Sequence, residues 1–231
     1  MELIAQGVKE ALRLLVSFDP EVVRITALSL EVSGAATVLG LLLGIPAGTA
    51  LALADFPGKR LLIGLVNTGM GLPPVVVGLF ITVLLWRNGP LGDLGLLYTP
   101  AAIVIAQTVL AAPIIMGITV AAIQQLPKAL HQQILALGAG RAQAAWLLMK
   151  EARLPVLAAV MAGFGAVISE VGAVIMVGGN IKGHTRVLTS ATVLETSKGN
   201  FDMAIALGII LLVFTCAANL LLTELQQRGG S

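Results

Sequence analysis

Long apolar runs separated by short polar connections constrain this chain more than any other feature of its sequence. A helix needs about 20 apolar residues to cross the hydrocarbon core of a bilayer, and 231 residues accommodate five such helices with their connections. Only 11% of the residues are charged, whereas soluble domains carry roughly 25%. The sequence therefore predicts an all-α, multi-pass integral membrane protein with one domain, residues 1–231. The five predicted spans are 32–54, 61–86, 101–123, 156–177 and 204–222.

The first 19 residues are expected to form a helix that lies in the membrane interface. Ile4, Val8, Leu12 and Leu15 fall on one helical face, while three charged residues between positions 9 and 13 interrupt any spanning run. The residues Asp19-Pro20-Glu21 then predict the start of the first spanning helix, since they supply an N-cap, a first-turn proline and a first-turn acid.

Prolines interrupt three of the apolar runs. Each one removes a helical hydrogen bond, and irregular backbone at membrane depth is tolerated where it lines a cavity or packs against protein. The functional interpretation is a translocation path built from broken helices, whose dipoles can face an anion. The alternative is simple helix curvature. The prolines are Pro46, Pro73, Pro74 and Pro113, and the pair Pro73 and Pro74 is the one assigned to the path.

Residues 128–153 are a polar, basic and helix-prone insert in this apolar chain. Leu130, Ile134 and Leu137 are spaced at i, i+4 and i+7 and therefore predict one apolar helix face. Gly138 and Gly140 then interrupt the helix. An amphipathic loop of this length in a membrane protein is expected to dock another protein.

The spacing of this insert resembles the Glu-Ala-Ala loop of ABC importer permeases, the helix pair that inserts into a groove on the ATPase subunit. Gln132, Gln133 and Ile134 stand in the Glu-Ala-Ala positions, with an amide in place of the leading carboxylate, and Gly138 stands at the glycine. The resemblance implies the type I ABC importer permease architecture, with residues 128–153 in the cytoplasm. The docking residues that it implies are Gln132, Gln133, Leu137, Gly138, Ala139, Gly140 and Arg141.

A second stretch, residues 169–200, is similar to the tungstate ABC transporter permeases. It carries the segments Ser-Glu-Val-Gly-Ala, Val-Gly-Gly-Asn-Ile and Leu-Glu-Thr-Ser. The resemblance implies a homodimer that imports an oxyanion by alternating access and receives it from an extracytoplasmic binding protein. Molybdate, sulfate or another small solute are alternative cargoes, and a stand-alone secondary carrier or channel is the alternative class.

No Walker sequence is present, so the ATPase is expected on another chain that uses ATP and magnesium, and this chain is expected to bind no cofactor. The spans lack paired acids, Ser-His pairs and metal-ligand spacing, which argues against an enzyme, and no nucleic acid partner is expected. Counts of Lys and Arg are seven on each side of a five-span topology and decide no orientation.

Glu170 is the acid deepest inside a predicted span, and its neighbour is Ser169. A carboxylate at membrane depth costs about 2.5–3.5 kcal/mol on insertion scales. The functional interpretation is a gate for the path. The alternative is a carboxylate that is paired within the bundle or hydrogen-bonded to a helix start.

The polar loop after residue 177 is interpreted as an outer vestibule, because amides, hydroxyls and a guanidinium suit a tetrahedral oxyanion. The alternative is a solvated loop that touches the binding protein. The residues are Asn180, Thr185, Arg186, Thr189 and Thr192.

Overall fold

The computed structural model describes residues 2–228, and within that range every regular element is helical. A short 3-10 turn, Gly92–Leu94, lies in the connection that precedes α5. The α-helices are α1 (Glu2–Val16), α2 (Pro20–Leu53), α3 (Lys59–Met70), α4 (Pro74–Leu85), α5 (Pro100–Gln124), α6 (Lys128–Ala136), α7 (Arg141–Glu151), α8 (Arg153–Ile168), α9 (Gly172–Gly178), α10 (Leu188–Ser197) and α11 (Phe201–Arg228).

Three of the described helices, α2, α5 and α11, are long and apolar enough to cross a membrane alone. Two bent pairs, α3 with α4 and α7 with α8, each pass the same criterion together, with bends of 98° and 74°. Counting each pair as one span gives up to five. The all-α membrane fold is confirmed, but the second span bends sharply at Pro73 and Pro74 instead of crossing as one straight helix.

The predicted fourth span, 156–177, is wrong as a continuous helix. α8 ends at Ile168, and α9 begins at Gly172. Polar side chains provide alternative partners for the backbone at this point. The Gln107 amide of α5 donates to the Val167 carbonyl at 2.8 Å, and the Ser169 hydroxyl donates to the Gly165 carbonyl at 2.8 Å.

The core of the molecule is the close packing of α2 on α5. Gly40, Gly44 and Gly48 recur every four residues along α2 and face α5. A methyl group at Gly48 would lie 2.8 Å from the Met116 carbonyl oxygen, and one at Gly44 would lie 3.0 Å from that of Ala112. Small residues at this spacing allow two membrane helices to approach backbone to backbone.

α1 packs along α11 through a face other than the one that carries Val8 and Leu12. Gly7, Ala11 and Leu14 are buried, whereas Val8 and Leu12 are exposed. The close contact requires glycine at position 7, because a methyl group there would lie 2.4 Å from the Ile205 side chain of α11. The Ile4 side chain lies outside the described part of the chain, and the interfacial position of α1 stays a prediction.

The predicted start of the first span is confirmed. The Asp19 carboxylate accepts hydrogen bonds from the Glu21 and Val22 amides at 3.0 and 3.1 Å and so caps α2. α2 then runs the length of the molecule. Its last turn lies beside Lys128 and His131, and its first turn lies beside Lys182. The α6–α7 insert and the loop 179–187 therefore lie at opposite ends of the fold.

Candidate functional site

The α6–α7 insert ends in a tightly capped turn, residues 137–140. The Ala139 amide donates to the Ile134 carbonyl at 3.3 Å, and the Gly138 amide donates to the Leu135 carbonyl at 3.0 Å. These two bonds with Gly138 at φ +88° form a Schellman motif. No atom lies within 4 Å of the position of a Gly138 β-carbon, so this glycine serves the left-handed conformation of the turn.

α7 starts from the other side of the turn with its own cap. The Gln143 side chain accepts a hydrogen bond from the Gly140 amide at 2.9 Å. Gly140 has φ −68°, an ordinary value for any residue. The two glycines that interrupt the sequence pattern therefore have different structural roles, and only Gly138 needs to be glycine for its conformation.

Most of the predicted docking residues lie on the surface of this turn. Gln132, Gln133, Gly138, Gly140 and Arg141 are exposed, and Ala139 is half-buried. The seventh, Leu137, is 88% exposed.

Of the three residues predicted to share one face of α6, only Leu130 and Ile134 are covered: both are half-buried and line a groove against α7 and α8. Leu137 is the C-cap residue of α6, and its side chain lies outside the groove. An apolar side chain this exposed on a loop otherwise rich in polar residues is a candidate protein contact.

Trp146 adds to this surface and was missed by the sequence reasoning. It lies on α7, is 64% exposed, and borders a cavity with Ala139, Ala142 and Gln143. A large exposed aromatic residue is typical of an interface anchor. The signal was available, because Trp146 is one of only two tryptophans in the chain.

The breaks in the second and fourth predicted spans lie next to each other. A methyl group at Gly172, the first residue of α9, would lie 2.8 Å from the Val75 side chain at the start of α4. Further along, a methyl group at Gly78 would lie 2.7 Å from the Cα atom of Ala173. α4 and α9 therefore begin at the same level and run side by side, and both positive dipole ends meet at the break. Pro73 is exposed and Pro74 half-buried at this place.

Glu170 is 9% exposed and lies at the break, not within a helix. One carboxylate oxygen accepts a hydrogen bond from the Ala173 amide at 2.9 Å, and the Glu170 carbonyl accepts one from the Thr189 hydroxyl at 2.9 Å. This is the alternative in which the carboxylate bonds to a helix start, and the gate stays a prediction. Ser169 is exposed beside it.

Gln107 holds the break from the α5 side and was not singled out from the sequence. Its side chain is 2% exposed, its amide nitrogen bonds the Val167 carbonyl, and its amide oxygen has no partner among the described residues. It is a lone amide inside the predicted span 101–123, and such polar residues within a span are expected to have a function or a structural partner.

The residues assigned to the vestibule are mostly used to build their own loop. The Thr185 hydroxyl is fully buried, donates to the Gly178 carbonyl and accepts from the Ile181 amide. The Asn180 side chain bonds Ser190 at both of its polar atoms. Arg186, in contrast, borders two open cavities. Contact of these residues with a substrate stays a prediction.

The helix that follows this loop ends in a small charged network. The Lys198 ammonium lies 2.8 Å from the Glu195 carboxylate, and the Asn200 side chain donates to the same group at 2.9 Å. The hydrogen bond from Lys198, then that from Asn200, holds the pKa of Glu195 below its usual value despite an opposing contribution from burial. No group of acids, cysteines and histidines among the described residues is arranged to hold a metal ion.

Comparison with known proteins shows which family this chain belongs to. The family model of the "Binding-protein-dependent transport system inner membrane component" matches residues 40–229. The chain belongs to this family. Its members are membrane components of transport systems, so the chain is a multi-pass transport protein of the membrane.

Curated relatives of this inner membrane component cover nearly its whole length. It is 42% identical over 227 residues, 98% of this chain and 100% of the relative, to the tungstate uptake system permease protein TupB of Peptoclostridium acidaminophilum. It is 42% identical over 211 residues, 89% and 91% of the two chains, to a probable anion ABC transporter permease protein of Haloferax volcanii. The molybdenum transport system permease protein ModB of Escherichia coli K12 is 30% identical over 213 residues, 85% and 93% of the two chains.

The fold of the inner membrane component also matches a solved transporter. An inward-facing form of the MetNI methionine ABC transporter superposes with a TM-score of 0.76 at 19% identity, over 92% of this chain and 98% of that one. At this identity the match shows the fold alone. It agrees with the type I importer permease architecture that the loop pattern implied.

Proposed function

We propose that this chain is the membrane subunit of a binding-protein-dependent ABC importer whose cargo is tungstate. The observation that carries the proposal is the full-length similarity to a tungstate uptake permease at 42% identity, against 30% for a molybdenum permease. ATP hydrolysis would take place on a separate ATPase that uses magnesium. This chain supplies the path and the docking surface.

The turn 137–140 is the proposed contact with that ATPase. It projects Leu137 from a rigid, doubly capped turn, and Trp146 lies exposed on the helix that follows. When a groove on the ATPase covers these two side chains, their apolar surface is removed from water, which is favourable by about 25 cal/mol per Å². This end of the molecule is then cytoplasmic, and the loop 179–187 faces the binding protein outside.

A connected set of helices joins this turn to the break beside Glu170. A single residue, Ala152, separates α7 from α8, and its amide donates to the Leu148 carbonyl of α7 at 2.9 Å. α8 then runs to Ile168, one residue from Ser169. A rotation of α7 by the ATPase would move the end of α8 and with it the backbone at the break. ATP thereby favours one arrangement of the path over the other, as alternating access requires.

A homodimer is proposed because one such subunit cannot enclose a path. The break then lies near the two-fold axis, where two copies face each other. The Glu170 carboxyl group is already bonded to the Ala173 amide at the start of α9. Because a bare carboxylate in the path would repel a dianion, we assign Glu170 to the structure of the break and not to contact with cargo.

Anion-stimulated ATP hydrolysis tests this function. The chain is reconstituted in lipid with its ATPase and binding protein, and tungstate, molybdate and sulfate are titrated in turn. We expect tungstate to stimulate hydrolysis at the lowest concentration. Stimulation at lower concentration by molybdate would move the proposal to molybdate, for which the 30% identical relative is the precedent. No stimulation by any anion would refute the function.

A further inference from the structure

A basic cavity lies at the end of the molecule opposite the docking turn. It measures about 220 Å³ and lies between the first turns of α2 and the loop 179–187. Since one water molecule occupies about 30 Å³ in the liquid, the cavity has room for about seven water molecules. The cavity is lined by Pro20, Glu21, Arg24, Ile25, Leu28, Lys182, Gly183, His184 and Arg186.

The charge of this lining is unbalanced. Arg24, Lys182 and Arg186 are cationic, whereas Glu21 is the only carboxylate that borders the cavity. Two positive charges therefore remain in excess, which matches a dianion. A neighbouring cavity on the other side of Glu21 lacks this excess, because its lining includes three acids and three basic residues. The first cavity is thus the one suited to an anion.

The cationic side chains are incompletely paired. Lys182 and Arg186 share Glu21, at 2.7 and 3.4 Å. The Nε atom of Arg186 is buried and has no hydrogen-bond partner among the described residues. The Arg24 guanidinium lies 3.6 Å from the position that a β-carbon on Gly183 would take, and no ion pair is found for Arg24 in the described part of the chain. The Arg186 Nε atom is enclosed by protein, so the cationic groups most open to an ion in the cavity are those of Arg24 and Lys182, which are exposed.

The loop that carries two of these cations is rigid. The amides of His184, Thr185 and Arg186 all donate to the Ile181 carbonyl, at 3.1, 3.0 and 3.1 Å. The Thr185 hydroxyl closes the loop onto Gly178. The cations are therefore held near one another before any ligand binds, which lowers the entropic cost of binding.

We propose that this cavity is an outer binding site for a tetrahedral oxyanion, which holds the ion between its release by the binding protein and its entry into the path. Arg24, Lys182 and Arg186 are the binding side chains, and guanidinium groups supply paired donors that suit such oxygens. Glu21 competes with the ion for Lys182 and Arg186. The inference rests on the proposed function, since it takes the cargo to be an oxyanion.

Direct binding tests the site. The permease with its ATPase is placed in lipid nanodiscs without the binding protein, and bound tungstate is measured by equilibrium dialysis and elemental mass spectrometry. We expect R24Q and K182Q each to weaken binding about tenfold, as loss of one charge-assisted contact predicts. Arg87→Gln is the matched control, because Arg87 is exposed on the connection after α4 and does not line the cavity. It should bind as wild type does.

A substitution expected to strengthen tungstate binding distinguishes a direct effect on the site from a general loss of structure. Glu21→Gln removes the competing carboxylate and should strengthen tungstate binding, whereas mere loosening of the loop would weaken it. Lys182 is largely exposed, so K182Q is expected to fold and still tests the site if R24Q fails to fold.

Three results would overturn the site. The first is equal tungstate binding by R24Q, K182Q, R87Q and wild type, and the second is no binding by wild type. The third is unchanged tungstate binding by R24Q and K182Q with weaker association of the binding protein, which would make the cavity a protein contact. Tungstate-stimulated ATP hydrolysis by the wild-type complex with its binding protein is measured on the same preparation. If that stimulation persists while the site fails, the inference alone is wrong; if no oxyanion stimulates, the proposed function is wrong.

Discussion

Glu170 is a buried acid whose carboxylate has a hydrogen-bond partner close to it in the sequence. Its hydrogen bond to the Ala173 amide stabilises the start of α9. This cap gives the Glu170 carboxylate a partner at the break, where no ion pair is found for it among the described residues, because a helix start is itself partly positive.

Substitution at Glu170 separates the cap from the charge. Glu170→Ala should lower the free energy of unfolding by about 1 kcal/mol, the usual cost of losing a helix cap, whereas Glu170→Gln keeps an oxygen acceptor and should cost less. Thermal unfolding of the two variants in nanodiscs measures the difference. Equal destabilisation by both would show that the charge, and not the cap, is what the fold requires.

The role of a single residue could be predicted from the sequence where its neighbours in the chain identify it. Asp19 was recognisable as a cap from its neighbours, and its hydrogen bonds to Glu21 and Val22 confirm it. Gln107 was not recognised, since its partner Val167 is 60 residues away along the chain. Local periodicity carries no information about such a contact.

At the level of elements, the turn 137–140 joins two helices through one residue in the left-handed conformation, Gly138. Gly138→Ala places a side chain at φ +88°, at a cost of about 1–2 kcal/mol. We expect the turn to shift and anion-stimulated ATP hydrolysis to fall, while the protein still inserts into the membrane. Gly140→Ala is the matched control, since Gly140 has an ordinary φ and an added β-carbon would make only an ordinary contact, 3.8 Å from the Gln143 side-chain oxygen. Equal hydrolysis by both variants would contradict this role of the turn.

The contact between α2 and α5 gives a second test on elements. Gly48→Ala should destabilise the protein by about 1–3 kcal/mol, because the added methyl group would lie 2.8 Å from the Met116 carbonyl. Gly34→Ala on the same helix adds a methyl group with nothing within 4 Å and should be neutral or slightly stabilising. Thermal unfolding of the pair checks the sign. A harmless Gly48→Ala would mean that α2 and α5 are further apart than the structure places them.

Element boundaries followed from sequence wherever a helix is long and uniformly apolar. α5 matches the predicted span 101–123 to within one residue at each end, and α2 and α11 enclose nearly all of theirs but extend beyond the apolar runs. The fourth span failed, because its break depends on hydrogen bonds from Gln107 and Ser169 and not on a proline. The contact of α1 with α11 was not predicted, because it depends on Gly7, whose lack of a side chain allows the close approach and which a pattern of large apolar residues does not reveal.

At the scale of the whole molecule, one protomer leaves much apolar surface uncovered. Leu79 and Phe80 on α4 and Leu212 and Leu220 on α11 are exposed. Lipid covers such surface in a membrane, and a second copy of the chain covers the part at the two-fold axis of the proposed homodimer. The homodimer stays a prediction, because a single chain carries no information about which of these surfaces meets its copy.

The central claim is that this chain transports only as part of an ATP-driven importer. Tungstate accumulation in proteoliposomes tests it most directly, with ATP on the side of the docking turn and the loaded binding protein on the other. We expect uptake that requires ATP, the ATPase and the binding protein together, and none from this chain alone. Uptake by this chain without an ATPase would contradict the account and identify a stand-alone carrier or channel.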